Sequence, residues 1–300
     1  MPQQRIGLVG LGKMGNGIGK NLLRKGYELT VYDVDPKAVA SLAAFGATPA
    51  VSAKAVAERS DIVVTVLPDG PDVERAVLGP DGVSSGARPG MIVLDCSTID
   101  PEVTRRVGAA LRAAGCGMVD AGMGGLPPAA EEGALLFMVG ATPEDFDRVK
   151  PLLDAMGKQI FHCGGLGAGM SVKLINNLLA MTILCADLEA LAMGVRAGLK
   201  PEVLLQVLRS TFADNKPLHG LIPDKILKGD HEPGFKAKLA HKDVGLAEGF
   251  AASLRVPIWT MGQTRQHLSL VLSQGKGEQG HTVVATALEE IIGSRFSDWR

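Results

Sequence analysis

Lys173 and Asn177 lie four residues apart at the end of the stretch Gly164–Asn177, GGLGAGMSVKLINN. An ammonium can exchange a proton with a substrate oxygen and stabilise negative charge developing on it, and an amide can hold that oxygen without titrating. Four-residue spacing puts both groups on one face of a helix. Four glycines between positions 164 and 169 let the backbone turn sharply just before that helix and approach a ligand closely. The same stretch can also be read as a glycine-capped linker with a solvated lysine.

A second constellation sits at the N-terminus. The run RIGLVG, Arg5–Gly10, reads as a buried strand and leads into Gly10, Gly12 and Gly15 of GLGKMG; a helical stretch follows to Leu23, and the strand ELTVYD ends on Asp33. In that context Gly-x-Gly-x-x-Gly forms a dinucleotide-binding turn. Gly10 makes the bend, Gly12 admits a pyrophosphate, and Gly15 lets helix and strand pack closely. Leu11, Lys13 and Met14 complete the turn, and the helix N-terminus offers amide N–H groups to the phosphates. Asp33 is placed to accept from the adenosine ribose hydroxyls and would repel a 2′-phosphate. No arginine follows it in Val34-Asp35-Pro36, so the expected cofactor is NAD in preference to NADP. The alternative is a glycine turn with a solvated aspartate.

Further apolar runs at 61–67 and 91–96, each preceded by a helical segment, indicate a parallel sheet covered on both faces. Ligands of such sheets sit at the carboxyl ends of the strands. Leu67 and Pro68 are therefore expected to wall the nicotinamide side, with Ser97 and Thr98 as hydrogen-bonding groups near the reacting end. Ser97 and Thr98 could equally cap the helix that starts at Pro101. After the run MVDA at 118–121, the glycine and proline loop GMGGLPPAAEEG is either a surface turn or a backbone cradle for a small anion. Strands at 135–139 and 159–163, around a helix at 143–156, extend the sheet in a mixed arrangement.

Beyond Cys163 only helical spacing remains: 172–197, 201–212, 218–228, 239–252, 258–272 and 282–292. The expected organisation is a dinucleotide-binding α/β domain over 1–164 and an all-helical domain over 165–300. His241-Lys242-Asp243 begins one of these helices; Lys242 is a second candidate to face the ligand, or a solvated helix-start lysine.

Composition narrows the function classes. With 46% hydrophobic and 21% charged residues in a chain of 300, there is ample material for a core, and only 4% of it is aromatic. A net charge of −1 gives no electrostatic case for nucleic acid or an anionic membrane. Cys96, Cys116, Cys163 and Cys185 are too scattered for a zinc site or a disulfide framework, and the histidines lack ligand spacing, so no metal is expected. MPQQRIGLVG runs straight into a strand without a leader peptide, and the apolar stretch 178–186 is too short to cross a bilayer. The expectation is a cytoplasmic protein acting on a small molecule.

These stretches together resemble the β-hydroxyacid dehydrogenase family, which includes 3-hydroxyisobutyrate dehydrogenase, tartronate semialdehyde reductase and a sulfolactaldehyde reductase. The motifs are GLGKMGNGIGKNLLRKG at 10–26, LDCSTIDP at 94–101, DAGMGGLPPAAEEGALLFMVG at 120–140, the Gly164–Asn177 stretch, and HKDVGLA at 241–247. The resemblance implies a Rossmann-type domain, a long interdomain helix, and a helical domain that mediates a homodimer or homotetramer. It implies that Lys173 is catalytic, that Asn177 with Asn176 binds the substrate, and that Lys242 closes over cofactor and substrate. The reaction implied is hydride transfer between NAD and a short β-hydroxy acid. A lysine serves there as a base only where burial, a second cation or a helix N-terminus disfavours the ammonium. The family pattern near DAPVSGG is altered: Gly122, Met123, Gly124, Gly125 and Leu126 occupy this loop. Gly124 replaces the serine that would contact the substrate, leaving the backbone N–H groups of Gly124 and Gly125 to bind an anion. A related reductase of imines or uncharged aldehydes is one alternative; a non-catalytic dinucleotide-binding scaffold, marked by loss of the lysine, is another.

Overall fold

The β-branched runs of the N-terminal half form strands in the computed structural model, which describes residues 4–299. The first three residues of the MPQQRIGLVG segment lie outside the described residues. Eight strands make one sheet: β1 Ile6–Val9, β2 Leu29–Tyr32, β3 Thr48–Pro49, β4 Ile62–Thr65, β5 Ile92–Asp95, β6 Gly117–Gly124, β7 Leu135–Gly140 and β8 Gly157–Gly164. Their order is β3-β2-β1-β4-β5-β6-β7-β8, and every neighbouring pair is parallel except β6 with β7. This is a Rossmann-type α/β sheet with a mixed extension. Val, Ile and Leu on both faces are fully buried, as expected of parallel strands covered by helices on either side.

Strand register fixes where the loops emerge. Val9, Thr65, Asp95 and Asp120 align in one row across β1, β4, β5 and β6. Two residues further on, at the carboxyl edge, come Leu11, Leu67, Ser97 and Gly122. The sheet departs from the sequence reading at β6, which continues through Gly124 instead of breaking at Gly122. Gly122 and Gly124 pair with Met138 and Leu136 of β7, and that antiparallel ladder outweighs the glycine-rich composition. β3, only two residues long, carries no periodic signal and was not anticipated.

The chain resolves into two compact units, residues 1–173 and 174–300. The expected boundary was at 164/165. The difference lies in the first turn of the Ala168–Arg196 helix, which is built into the sheet domain. Gly169 sits so close to β7 that a Cβ there would lie 2.3 Å from the Met138 carbonyl oxygen and 2.8 Å from the Gly140 nitrogen.

In the second unit the long helix supplies the core. Leu174, Leu178, Met181, Leu184, Leu188 and Leu191 are buried among Leu205, Ile222, Val244, Leu268 and Phe296. At 29 residues the helix is long and apolar enough to span a bilayer by length and composition, but half of its most apolar window is buried within the protein. The run expected as one helix at 218–228 is divided into Lys216–His219, Leu221–Asp224 and a 3₁₀ turn, Ile226–Lys228. Gly220 adopts a non-helical conformation, and Pro223 withholds an N–H. The helix expected from 258 starts at Thr264, after a 3₁₀ turn at Met261–Gln263.

Gly169→Ala should lower stability by about 1–3 kcal/mol, the range for overpacking a rigid contact, read from urea denaturation midpoints. Unchanged stability would mean that the helix start is not seated on β7.

Candidate active site

The glycine turn between β1 and the Lys13–Arg24 helix has the geometry its three glycines require. Gly10 has φ +91, and a Cβ on it would lie 2.3 Å from the Val66 carbonyl oxygen. A Cβ on Gly15 would lie 2.0 Å from the Gly10 carbonyl oxygen, so only glycine allows this approach of helix to turn. Gly12 is different: nothing lies within 4 Å of where its Cβ would be. It is the N-cap residue, with no side chain filling the helix end. That combination leaves room for a phosphate group against backbone N–H donors. Lys13 is exposed on the same turn, while Met14 packs against the core.

Asp33, just past β2, closes this turn. Its Oδ2 accepts from the Leu11 N–H at 2.6 Å and its Oδ1 from the Asp35 N–H at 2.8 Å. Each carboxylate oxygen accepts more than one hydrogen bond, so the half-buried group can also meet a ribose hydroxyl.

At the carboxyl edge a short chain of hydrogen bonds joins two loops. Thr65 Oγ1 donates to Asp95 Oδ1 at 2.7 Å, the Ser97 N–H donates to the same oxygen at 3.1 Å, and the Leu67 N–H donates to Ser97 Oγ at 2.9 Å. Ser97 is 2% exposed. This geometry makes it a buttress between the two loops and not a helix cap. The cap of the following helix is Asp100, which accepts from the Glu102 N–H. Thr98 and Leu67 are half-buried at this edge and Pro68 is exposed.

Lys173 reaches the same edge from the long helix. Its Cβ and Cγ lie 2.7 and 3.1 Å from where a Cβ on Gly122 would stand. The helix start is held by Asp120, whose Oδ1 accepts from the Gly167 N–H at 2.6 Å and Oδ2 from the Met170 N–H at 2.7 Å. The end of β6 is half-exposed at Met123 and Gly124, and Gly125 beyond it is exposed and has φ +124. Behind it the Pro127–Glu132 helix packs on the Lys13–Arg24 helix at Gly17, where a Cβ would sit 3.1 Å from Ala130 Cβ.

Within the second unit, Asn177 Nδ2 donates to Asp243 Oδ2 at 2.7 Å, and Lys242 Nζ lies 2.9 Å from Asp243 Oδ1. Asn176, exposed, donates from Nδ2 to Asn177 Oδ1 at 3.2 Å. No cluster of three or more metal-ligating side chains occurs among the described residues, and the four cysteines are free thiols.

Three functional groups were not singled out from sequence: Asp95, Asp120 and Asp243. The first two each follow buried apolar residues of a strand, Asp95 at the end of β5 and Asp120 within β6, and a buried acid must find donors. Asp243 is buried on the Ala237–Ser253 helix between Ala240 and Val244, a similar signal.

The chain matches the family model for the NAD binding domain of 6-phosphogluconate dehydrogenase over residues 5–165. Residues 167–288 match the model described as the NAD-binding part of NADP-dependent 3-hydroxyisobutyrate dehydrogenase. It is 38% identical over 297 residues to an NAD-dependent L-serine dehydrogenase of Pseudomonas aeruginosa, covering 97% of this chain and 99% of that one. It is 35% identical over 279 residues to 3-sulfolactaldehyde reductase of Escherichia coli, covering 93% and 94%. A solved structure of Mycobacterium tuberculosis 3-hydroxyisobutyrate dehydrogenase with L-serine superposes with a TM-score of 0.90 at 28% identity, covering 95% of this chain and 99% of that one.

Burial pushes the Asp120 carboxyl up from its usual 3.8 to about 6; the N–H donors of Gly167 and Met170 oppose this, and the neighbouring Asp95 adds to it. A raised value means the fold favours the neutral acid. The resulting stabilisation is complete below about pH 4 and is lost as pH rises through about 6, amounting to ~3 kcal/mol. The stability advantage of the natural chain over Asp120→Asn should therefore shrink by about 2–3 kcal/mol between about pH 4 and about pH 7. Denaturation at a series of pH values measures this, and a pH-independent difference would contradict it.

Proposed function

The chain belongs to the β-hydroxyacid dehydrogenase family, and from that premise we propose an enzyme that transfers a hydride between NAD and a short β-hydroxy acid or its semialdehyde. Lys173 serves as general acid and base. The observation that carries this reading is the seat of Lys173, packed directly over Gly122 at the carboxyl edge of the sheet that bears the glycine turn.

The open space above Gly12, the uncapped helix start and the Asp33 carboxylate fit a dinucleotide with its pyrophosphate on the turn and its ribose hydroxyls at Asp33. Gly10, Leu11, Lys13, Met14 and Gly15 complete that cradle, and Leu67, Pro68 and Thr98 line its nicotinamide end. Bound there, the nicotinamide supplies or accepts the hydride. Asp33 favours NAD, because its charge would meet a 2′-phosphate unfavourably and no arginine follows it.

Lys173 takes the proton from the substrate hydroxyl during oxidation and returns it to the oxygen during reduction. Its ammonium form stabilises negative charge on that oxygen meanwhile. Asn177, one turn further along the helix, orients the same oxygen, with Asn176 beside it. Backbone N–H groups of Gly124 and Gly125, flanked by Met123, hold the acid group. Lys242 contributes its charge to the bound cofactor, and Ser97 acts by holding the Leu67 loop in place. Free thiols suit the reducing cytoplasm, and a homodimer or homotetramer goes with the family.

A second reading, reduction of an imine or uncharged aldehyde at the same site, draws on Gly124, which offers no hydroxyl to an acid.

Turnover with L-serine and 3-hydroxyisobutyrate, followed by nicotinamide absorbance beside an imine panel, separates the two readings. Hydroxy-acid turnover with NAD well above NADP is expected; activity confined to imines would overturn the acid assignment. Lys173→Ala should lower kcat by about 10²–10⁴-fold with NAD affinity nearly unchanged, and full turnover in that variant would remove Lys173 from the mechanism.

A further inference from the structure

Asp243 is an acid in the interior of the helical unit, with its side chain 4% exposed. Burying a carboxylate costs several kcal/mol unless it is well partnered, so its partners matter. They are the Asn177 amide at 2.7 Å and the Lys242 ammonium at 2.9 Å. Both partners belong to the site proposed above, and Asp243 itself is assigned no role there.

The chemistry of the pair fixes an orientation. A primary amide has nearly isosteric ends, and a rotation of half a turn exchanges a donor for an acceptor. A carboxylate can only accept. It therefore selects the arrangement in which Asn177 turns Nδ2 toward the Ala237–Ser253 helix and leaves Oδ1 on the other side, where the Asn176 amide already reaches it at 3.2 Å. An amide side chain at 243, which both donates and accepts, would pair with either end of Asn177.

We propose that Asp243 is a positioning residue, which fixes the orientation of the Asn177 amide and so acts on substrate binding through Asn177. The proposal rests on the reading of Asn177 as a substrate-binding group.

A double-mutant cycle on the full chain tests it, with kcat and KM for L-serine or 3-hydroxyisobutyrate as the readout. Asn177→Ala comes first. A change in kcat/KM of less than about threefold in that variant would refute the assignment of Asn177 itself, and this proposal with it. With that loss established, Asp243→Ala in the natural background should lower kcat/KM by about 10–100-fold, the range for losing a hydrogen bond to a charged group. The loss should fall mainly on KM. In the Asn177→Ala background the same substitution should cost threefold or less, because its target is gone. Equal losses in both backgrounds would overturn Asp243 as a positioning residue while leaving Asn177 in place, as would full activity in Asp243→Ala. Should Asp243→Ala not fold, Asp243→Asn carries the test. It keeps the shape but accepts either amide end, so it should raise KM only while Asn177 is present. An equal rise without Asn177 would count against the proposal.

Discussion

Two hydrogen bonds from the start of the long helix to the buried Asp120 carboxylate fix the geometry on which the rest of the site depends. The first N–H groups of any helix lack intrahelical acceptors, and the helix dipole concentrates positive potential there. A carboxylate removed from water needs donors of that kind. Each need meets the other at the row where the pairing of β6 with β5 ends. Lys173 lies within the first two turns of the anchored helix, so its place over Gly122 follows from how the helix is anchored. The anchor tolerates no extra atoms: a Cβ at Gly140 would stand 2.4 Å from Asp120 Oδ1, and one at Gly169 would stand 2.8 Å from Oδ2.

Asp120 is one of three acids used in the same way. Asp33 follows β2 and holds the glycine turn through the Leu11 N–H; Asp95 ends β5 and holds the next loop through the Ser97 N–H. Each spends acceptor capacity on backbone donors of a loop that would otherwise move. The consequence for binding is a division of labour. The acid side chains serve the backbone of the loops, and the groups proposed above to meet a ligand are backbone amides at Gly12, Gly124 and Gly125 together with Lys173. Rigid amide donors suit phosphate and carboxylate groups because they need no reorganisation on binding.

Much of this is legible in the amino-acid sequence. The three glycines of the turn, the acid after the second strand and the apolar runs specify a dinucleotide-binding sheet because each carries a local signal: a backbone bend, a strand-end charge, a period. That Lys173 and Asn177 share one helix was readable from their spacing. The anchoring of the helix by Asp120 was not, since the partners are separated by 47 and 50 residues in sequence and no periodicity links them. Ser97 shows the opposite case. A serine after a strand looks like a ligand or a cap, and only tertiary placement reveals that its oxygen also accepts from the Leu67 N–H, with its own O–H still a donor. The extension of β6 through Gly124 was hidden for a related reason: glycine argues locally for a loop, and the ladder to β7 is a long-range gain.

That ladder bears on the loop proposed to hold the acid group. Gly124 pairs with Leu136, and a Cβ at 124 would stand 3.3 Å from Leu136 Cβ, tighter than ordinary contact. A serine here would have to displace a leucine on a hydrogen-bonded strand, so the missing hydroxyl and the neighbouring leucine go together as one arrangement. With Met123 half-buried and Leu126 exposed on either side, the loop offers backbone donors framed by apolar surface. The proposed hold on an acid group by those N–H groups would thus set its carbon chain beside apolar side chains.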